Sequence, residues 1–201
     1  TLRPYQRDGV DFLWRATTLG MGACLADDMG LGKTLQVLCY LELLRNAGRL
    51  AELPALLVAP ASLLANWKSE AEKFTPGLRL KLLHGSALEP GELEAFLTDP
   101  AGFLAGYDLA VTTYATATRL AATLAKLEFP AVIADEAQAL KNPGSNQSRA
   151  VRALRGKRRI ALSGTPVENR LTDLWSIFDF LSPGLLGSLP RFLETLKKLD
   201  E

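Results

Sequence analysis

The stretch Leu25-Ala-Asp-Asp-Met-Gly-Leu-Gly-Lys-Thr34 constrains the fold more than any other. An apolar segment runs through two acids and a Gly-x-Gly into Lys-Thr and then a helical pattern. That is the layout of a phosphate-binding loop between a strand and a helix. Gly30 and Gly32 can take positive φ and carry no side chain, so backbone N–H groups can close around phosphate oxygens. Lys33 can set an ammonium against β- and γ-phosphates, and the Thr34 hydroxyl suits a Mg²⁺ ion. The helix opened there points its positive dipole end at the anion. The strict pattern wants glycine at position 27, where this chain has Asp27. Taken alone, the stretch also fits a glycine-rich turn that caps a helix.

Of 201 residues, 48% are hydrophobic and 22% charged, enough for one globular domain with a sizeable core. The net charge of +1 means that any nucleic-acid surface must be local. No run of 18 apolar residues predicts a membrane span, and Thr1-Leu-Arg-Pro-Tyr-Gln6 is no signal peptide. Cys24, Cys39 and the single histidine, His84, do not make a zinc site. The cysteines read as buried free thiols of an intracellular protein.

Six apolar runs read as strands: 22–26, 55–59, 80–84, 109–113, 131–134 and 159–162. Between them, helices are expected near 5–16, 34–46, 62–74 (with Ser62 as N-cap), 91–98 and 116–127, and a last one at 171–181. Strands alternating with helices predict a parallel sheet covered on both faces. The chemically distinctive segments 27–34, 60–63, 112–113, 135–138 and 163–166 all follow predicted strands. Ligands of open α/β sheets bind beyond those carboxyl ends, so these segments should share one edge.

Asp135-Glu-Ala-Gln138 follows four apolar residues. A carboxylate at such a strand tip can hold Mg²⁺ through its water shell, together with Thr34. Its neighbour Glu136 can orient and deprotonate an attacking water. Ser163-Gly-Thr165 offers two hydroxyls at the next strand end. Gln6 can present one donor and one acceptor to an adenine edge.

Leu2-Arg-Pro-Tyr-Gln6, Asp28-Met-Gly-Leu-Gly-Lys-Thr34, Pro60-Ala-Ser-Leu-Leu-Ala-Asn-Trp67, Asp135-Glu-Ala-Gln138 and Leu162-Ser-Gly-Thr-Pro166 occur in that order. Together they resemble the helicase superfamily 2 motifs of the SWI/SNF-type ATPases, the chromatin-remodeller and DNA-translocase family. Asn169 to Gly187 resembles that family's continuation, and Asp27 fits it too. The resemblance covers about residues 2 to 187. It implies an α/β, RecA-like three-layer fold with a mainly parallel sheet and helices on both faces. It also implies ATP hydrolysis, with Mg²⁺, coupled to movement along double-stranded DNA.

By position, the resemblance puts nucleotide on Arg3, Gln6, Asp28, Met29, Gly30, Leu31, Gly32, Lys33 and Thr34. Lys33, Asp135, Glu136 and Gln138 would act in catalysis, with Thr34 and Asp135 on the metal. Ser163, Gly164 and Thr165, with Gln138, would couple nucleotide state to motion. Pro60, Ser62, Thr112, Thr113, Lys141 and Asn142 would face the DNA backbone. The family usually has histidine where Gln138 stands. It also uses two such lobes with ATP between them, and the second supplies arginines that speed phosphoryl transfer. Residues 1–187 are therefore expected to be the amino-terminal lobe, and 188–201 the start of a linker toward a second lobe absent from this chain. The partners implied are duplex DNA, that second lobe and DNA-bound proteins.

Other readings stay open. One is a lobe of another RNA or DNA helicase of the superfamily, against which the segment from Asn169 argues. The other is a non-catalytic nucleotide-binding module, against which the intact Lys33, Thr34, Asp135 and Glu136 argue. Arg149, Arg152 and Arg155 would form a stripe on a helix, more readily a solvated face than a phosphate contact. Trp67 and Trp175 read as core, and His84 as a hydrogen-bonded strand-end residue.

Overall fold

A computed structural model describes residues 2–28, 30–164 and 171–198. Its strands are β1 (Ala23–Leu25), β2 (Ala55–Ala59), β3 (Leu80–Leu83), β4 (Leu109–Thr113), β5 (Glu128–Phe129), β6 (Val132–Ala134), β7 (Arg155–Gly156) and β8 (Arg159–Leu162). The helices are α1 (Pro4–Thr18), α2 (Lys33–Asn46), α3 (Leu64–Phe74), α4 (Glu92–Thr98), α5 (Pro100–Leu104), α6 (Tyr114–Arg119), α7 (Ala121–Leu124), α8 (Asn146–Arg152), α9 (Leu171–Leu181) and α10 (Leu189–Lys197).

All six apolar runs enter one sheet, in the order β1-β8-β6-β2-β4-β3, and every pairing is parallel. A strand buried on both faces needs apolar side chains at every position. β2 meets that demand, with Ala55 through Ala59 all fully buried. Its side chains alternate between layers: Leu57 and Ala59 join the core formed with α1, α2 and α3, while Leu56 and Val58 join the core under α4 to α9. The α/β fold with helices on both faces is therefore the one expected. Parallel pairing also sends every strand's carboxyl end to the same edge.

Several local details depart from the sequence reading. Ser62 is not an N-cap; it lies within a 3₁₀ turn, Ala61–Leu63, that precedes α3. The helix expected over 116–127 is two short ones, α6 and α7, broken at Leu120. β5 and β7 add a two-stranded parallel pair outside the main sheet. Within 188–201, where the start of a linker is expected, Leu189–Lys197 form α10, which rests against α9 and buries no residue fully. Cys24 and Cys39 are free thiols, though only partly buried.

The arginine stripe is solvated only in part: Arg149 and Arg155 are exposed, Arg155 lying beyond α8 in β7, whereas Arg152 is half-buried. Arg152 donates to Asp179 Oδ2 at 2.6 Å and to Pro143 O at 2.8 Å, with its guanidinium over the Trp175 ring. Arg149 reaches Asn146, while Arg155 sits near Glu128. Next along the chain, Arg159 donates to the carbonyls of Arg152 at 3.2 Å and Phe180 at 3.1 Å, and to that of Leu154. One guanidinium thus satisfies backbone groups where α8 and α9 end, groups their own helices leave without partners. Removing it strands those carbonyls. Arg159→Ala should cost about 2–4 kcal/mol in urea unfolding with an unchanged m-value; an unchanged midpoint would show that these contacts contribute nothing.

Candidate nucleotide and nucleic-acid site

The loop after β1 folds as its glycines allow. Gly30 and Gly32 have φ of +83° and +79°, and Gly32 is the N-cap of α2. The left-handed backbone at Gly32 disfavours a side chain there, and a Cβ would also lie 2.7 Å from Gln6 Nε2 and push that amide aside. Lys33 Nζ donates to the carbonyls of Asp27 at 2.6 Å and Asp28 at 3.1 Å. Its ammonium therefore rests inside the loop's own curl, where a phosphate would replace those carbonyls as partner.

Gln6 ties α1 to this loop. Its Oε1 accepts from Arg3 N at 3.0 Å and its Nε2 donates to Leu31 O at 3.4 Å. Each end of the amide has one partner within the protein and keeps one further position, a second N–H on Nε2 and a second lone pair on Oε1. Arg3, Asp28, Gly30 and Leu31 are exposed around the loop, and Thr34 is half-buried at the start of α2. Met29 and Thr165 lie outside the described residues.

Asp27, in the place of the first glycine, has a partner that sequence reasoning missed. Gln36 is fully buried and its Nε2 donates to Asp27 Oδ2 at 2.9 Å. The space it needs comes from α1, since a Cβ on Gly9 would lie 1.8 Å from Gln36 Oε1. The available signal was a glutamine on the apolar face of α2, one turn after Lys33.

At the tip of β6, Asp135 is 7% exposed. Its Oδ1 accepts from Glu136 N at 2.9 Å and its Oδ2 from Trp67 Nε1 at 2.8 Å. Burial pushes this carboxyl above its usual range, opposed by the two N–H donors and by the nearby charge of Lys33. The Lys33 effect brings the phosphate loop and the acid pair within electrostatic reach of each other. Tyr114 Oη donates to Asp135 O at 2.7 Å, and burial drives its phenol strongly upward. Trp67 is core, as expected, yet its link to Asp135 was not legible.

Glu136 has φ of +49° and ψ of 55°, the only positive φ among described non-glycine residues. Such a backbone costs energy that surrounding contacts must hold in place. Gln138 Nε2 donates to Glu136 Oε2, and Gln138 Oε1 accepts from Ser163 Oγ at 3.0 Å. An amide, with a donor at one end and an acceptor at the other, joins the acid to the next strand end. Gly164 follows at that end, half-buried.

Thr34 and Asp135 supply hard oxygen donors. Each Asp135 oxygen accepts one hydrogen bond and keeps lone-pair capacity. Among the described residues no group of three or more His, Cys, Asp or Glu could hold a metal. A cation here would thus draw its remaining oxygens from phosphates and water, which is the habit of Mg²⁺. The residues fit that ion in company with a nucleotide.

Past the ends of β2, β3 and β4 lies an open hollow of about 750 Å³, lined among others by Pro60, Ala61, His84, Thr113, Tyr114 and Arg119. His84 Nδ1 pairs with Ser86 Oγ at 2.8 Å. Thr112 does not reach this hollow: it is fully buried and its hydroxyl donates to Leu83 O at 2.8 Å. The alternation along β4 turns it away, which corrects its expected DNA-facing role. Thr113 borders the hollow, with its hydroxyl donated to Thr116. Ser62 and Asn142 are exposed, and Lys141 is half-buried. Asn142 Oδ1 accepts from Gly144 N at 3.1 Å, closing a turn.

The model of the SNF2-related domain matches residues 5–199. The chain belongs to that family. It is 44% identical over 192 residues to YwqA of Bacillus subtilis, whose name carries the words ATP-dependent helicase/translocase. That match takes in 96% of this chain and 20% of YwqA. Identity to the TATA-binding protein-associated factor MOT1 of Saccharomyces cerevisiae is 35% over 209 residues, 98% of this chain and 11% of MOT1. The SWI2/SNF2 ATPase core of Sulfolobus solfataricus, solved in complex with dsDNA, superposes with a TM-score of 0.84 at 41% identity, covering 98% of this chain and 40% of that one. The chain thus spans about a fifth or less of these two curated relatives.

Lys33 is the loop's cation, and ATP would take it from the two carbonyls. Lys33→Ala should cost about 2–3 kcal/mol of ATP affinity by calorimetry, through lost charge-assisted hydrogen bonds. Equal affinity in both proteins would remove Lys33 from the site.

Proposed function

We propose that this chain is the ATP-binding motor lobe of a DNA-dependent ATPase that moves along double-stranded DNA. The observation that carries this reading is a single sheet edge with two neighbouring sites. Lys33, Thr34, Asp135 and Glu136 gather on one part of it, and the hollow with Arg119 opens on the other. The dsDNA held by the related Sulfolobus core supports a duplex as the nucleic-acid partner.

In this reading the loop amides and Lys33 hold the phosphates. Thr34 and Asp135 would hold Mg²⁺, which lowers the charge on the transferring phosphoryl group. Glu136 orients the attacking water and takes its proton. Gln138, bridging Glu136 and Ser163, carries the position of that carboxylate to the neighbouring strand end. Backbone phosphates would meet Arg119 and the Thr113–Thr116 turn, a contact without sequence selectivity. The remaining transition-state charge is assigned to a second RecA-like lobe of the longer protein. Residues 1–187 are thus one lobe and 188–201 lead onward. Further proposed partners are DNA-bound proteins displaced by the motor, with an intracellular location. No helix among the described residues is long and apolar enough to cross a membrane.

Glu136→Gln keeps the side chain's size and hydrogen-bonding reach to Gln138 but removes the base. In the full-length protein it should bind ATP as the wild type does and lose DNA-stimulated turnover by at least about 10²-fold, the low end for general-base catalysis. Normal turnover in that variant would assign the base elsewhere.

A further inference from the structure

The proposed chemistry uses Asp135 but gives no reason for its partner. Trp67 is fully buried in α3 and packs in the core beneath α1 and α2. A buried indole needs one acceptor for its N–H, and a backbone carbonyl would serve. Here the acceptor is a carboxylate that burial already disfavours as a charge. The geometry is consistent with the strand's alternation: Ile133 faces the α1–α3 layer, Ala134 the other, and Asp135 the first again. The carboxylate therefore points toward the layer that carries α2 and Lys33. Its Oδ1 is fixed by the Glu136 amide at 2.9 Å and its Oδ2 by Trp67 at 2.8 Å. With both oxygens held, the carboxylate cannot rotate, and the lone pairs it retains have fixed directions.

We propose that Trp67 is a positioning residue for the cation that accompanies the nucleotide, its indole N–H setting the orientation in which Asp135 meets that cation. This rests on the nucleotide-site reading above. Trp67 touches neither nucleotide nor metal; it acts through Asp135. Partners of this kind commonly change metal affinity 10–100-fold when removed.

The test is ADP binding by calorimetry, in Mg²⁺ and in EDTA, for the wild type, Trp67→Phe and Asp135→Ala. Phenylalanine keeps an aromatic ring in the core and loses the N–H. The expected result for Trp67→Phe is wild-type affinity in EDTA and a Mg²⁺-dependent gain at least about 5-fold smaller than the wild type's. A folded Trp67→Phe that keeps the full gain, while Asp135→Ala loses it, overturns the proposal alone. An equal drop in Mg²⁺ and in EDTA overturns it too, because a purely structural role predicts that pattern. Should Asp135→Ala keep the gain, the assignment of Asp135 to the cation fails and the proposal fails with it. If Trp67→Phe does not fold, benzothienylalanine inserted at position 67 fills the same space without the N–H and is held to the same outcomes.

Discussion

The arrangement of this lobe depends on one buried carboxylate. Asp135 stands at the end of β6, a central strand, where little water reaches it. An uncompensated charge there would be expensive. Compensation comes from three directions: the amide of Glu136, the indole of Trp67 and the charge of Lys33. Tyr114 grips the same residue's carbonyl from the opposite layer of helices. One strand end is thus held from both faces of the sheet. The side chains that hold it follow β2 and β4, whose loops border the hollow. Tyr114, which lines that hollow, thus touches the residue at the end of β6.

Around that point, other polar groups hold partners within the protein. Lys33 lies on carbonyls of its own loop, and Gln6 links Arg3 to Leu31. Glu136 holds a left-handed backbone, anchored through Gln138 to Ser163. Strain and temporary satisfaction of this kind cluster at functional sites, where they can be exchanged for ligand contacts. Here they concentrate at the strand ends rather than in the uniformly apolar strand interiors.

Most of the frame was legible because its causes are local. Ala55–Ala59 announces a doubly buried strand by composition alone, and Gly30, Gly32, Lys33 and Thr34 announce a loop by spacing. Less legible were contacts between residues far apart in the chain. Trp67 reads as core on helical periodicity, which says nothing of a carboxylate 68 residues on. Arg152 reads as part of a solvated helix face, yet it binds groups that only the packed chain brings near. Thr112 was assigned by position in a motif, whereas the two-residue period of β4 decides where its hydroxyl points. The break between α6 and α7 and the pairing of β5 with β7 likewise come from tertiary packing, which overrides propensity in short elements.

The central claim is that ATP hydrolysis at this edge answers to a duplex in the adjoining hollow. It is tested most directly by steady-state ATP hydrolysis in the full-length protein with no nucleic acid, with duplex DNA and with single-stranded RNA, beside the same assay on this chain alone. The account predicts strong stimulation by duplex DNA, little by RNA, and near silence from the isolated chain. Stimulation by single-stranded RNA in preference to duplex DNA would contradict the assignment of the hollow. Absence of hydrolysis under every condition would contradict the motor itself.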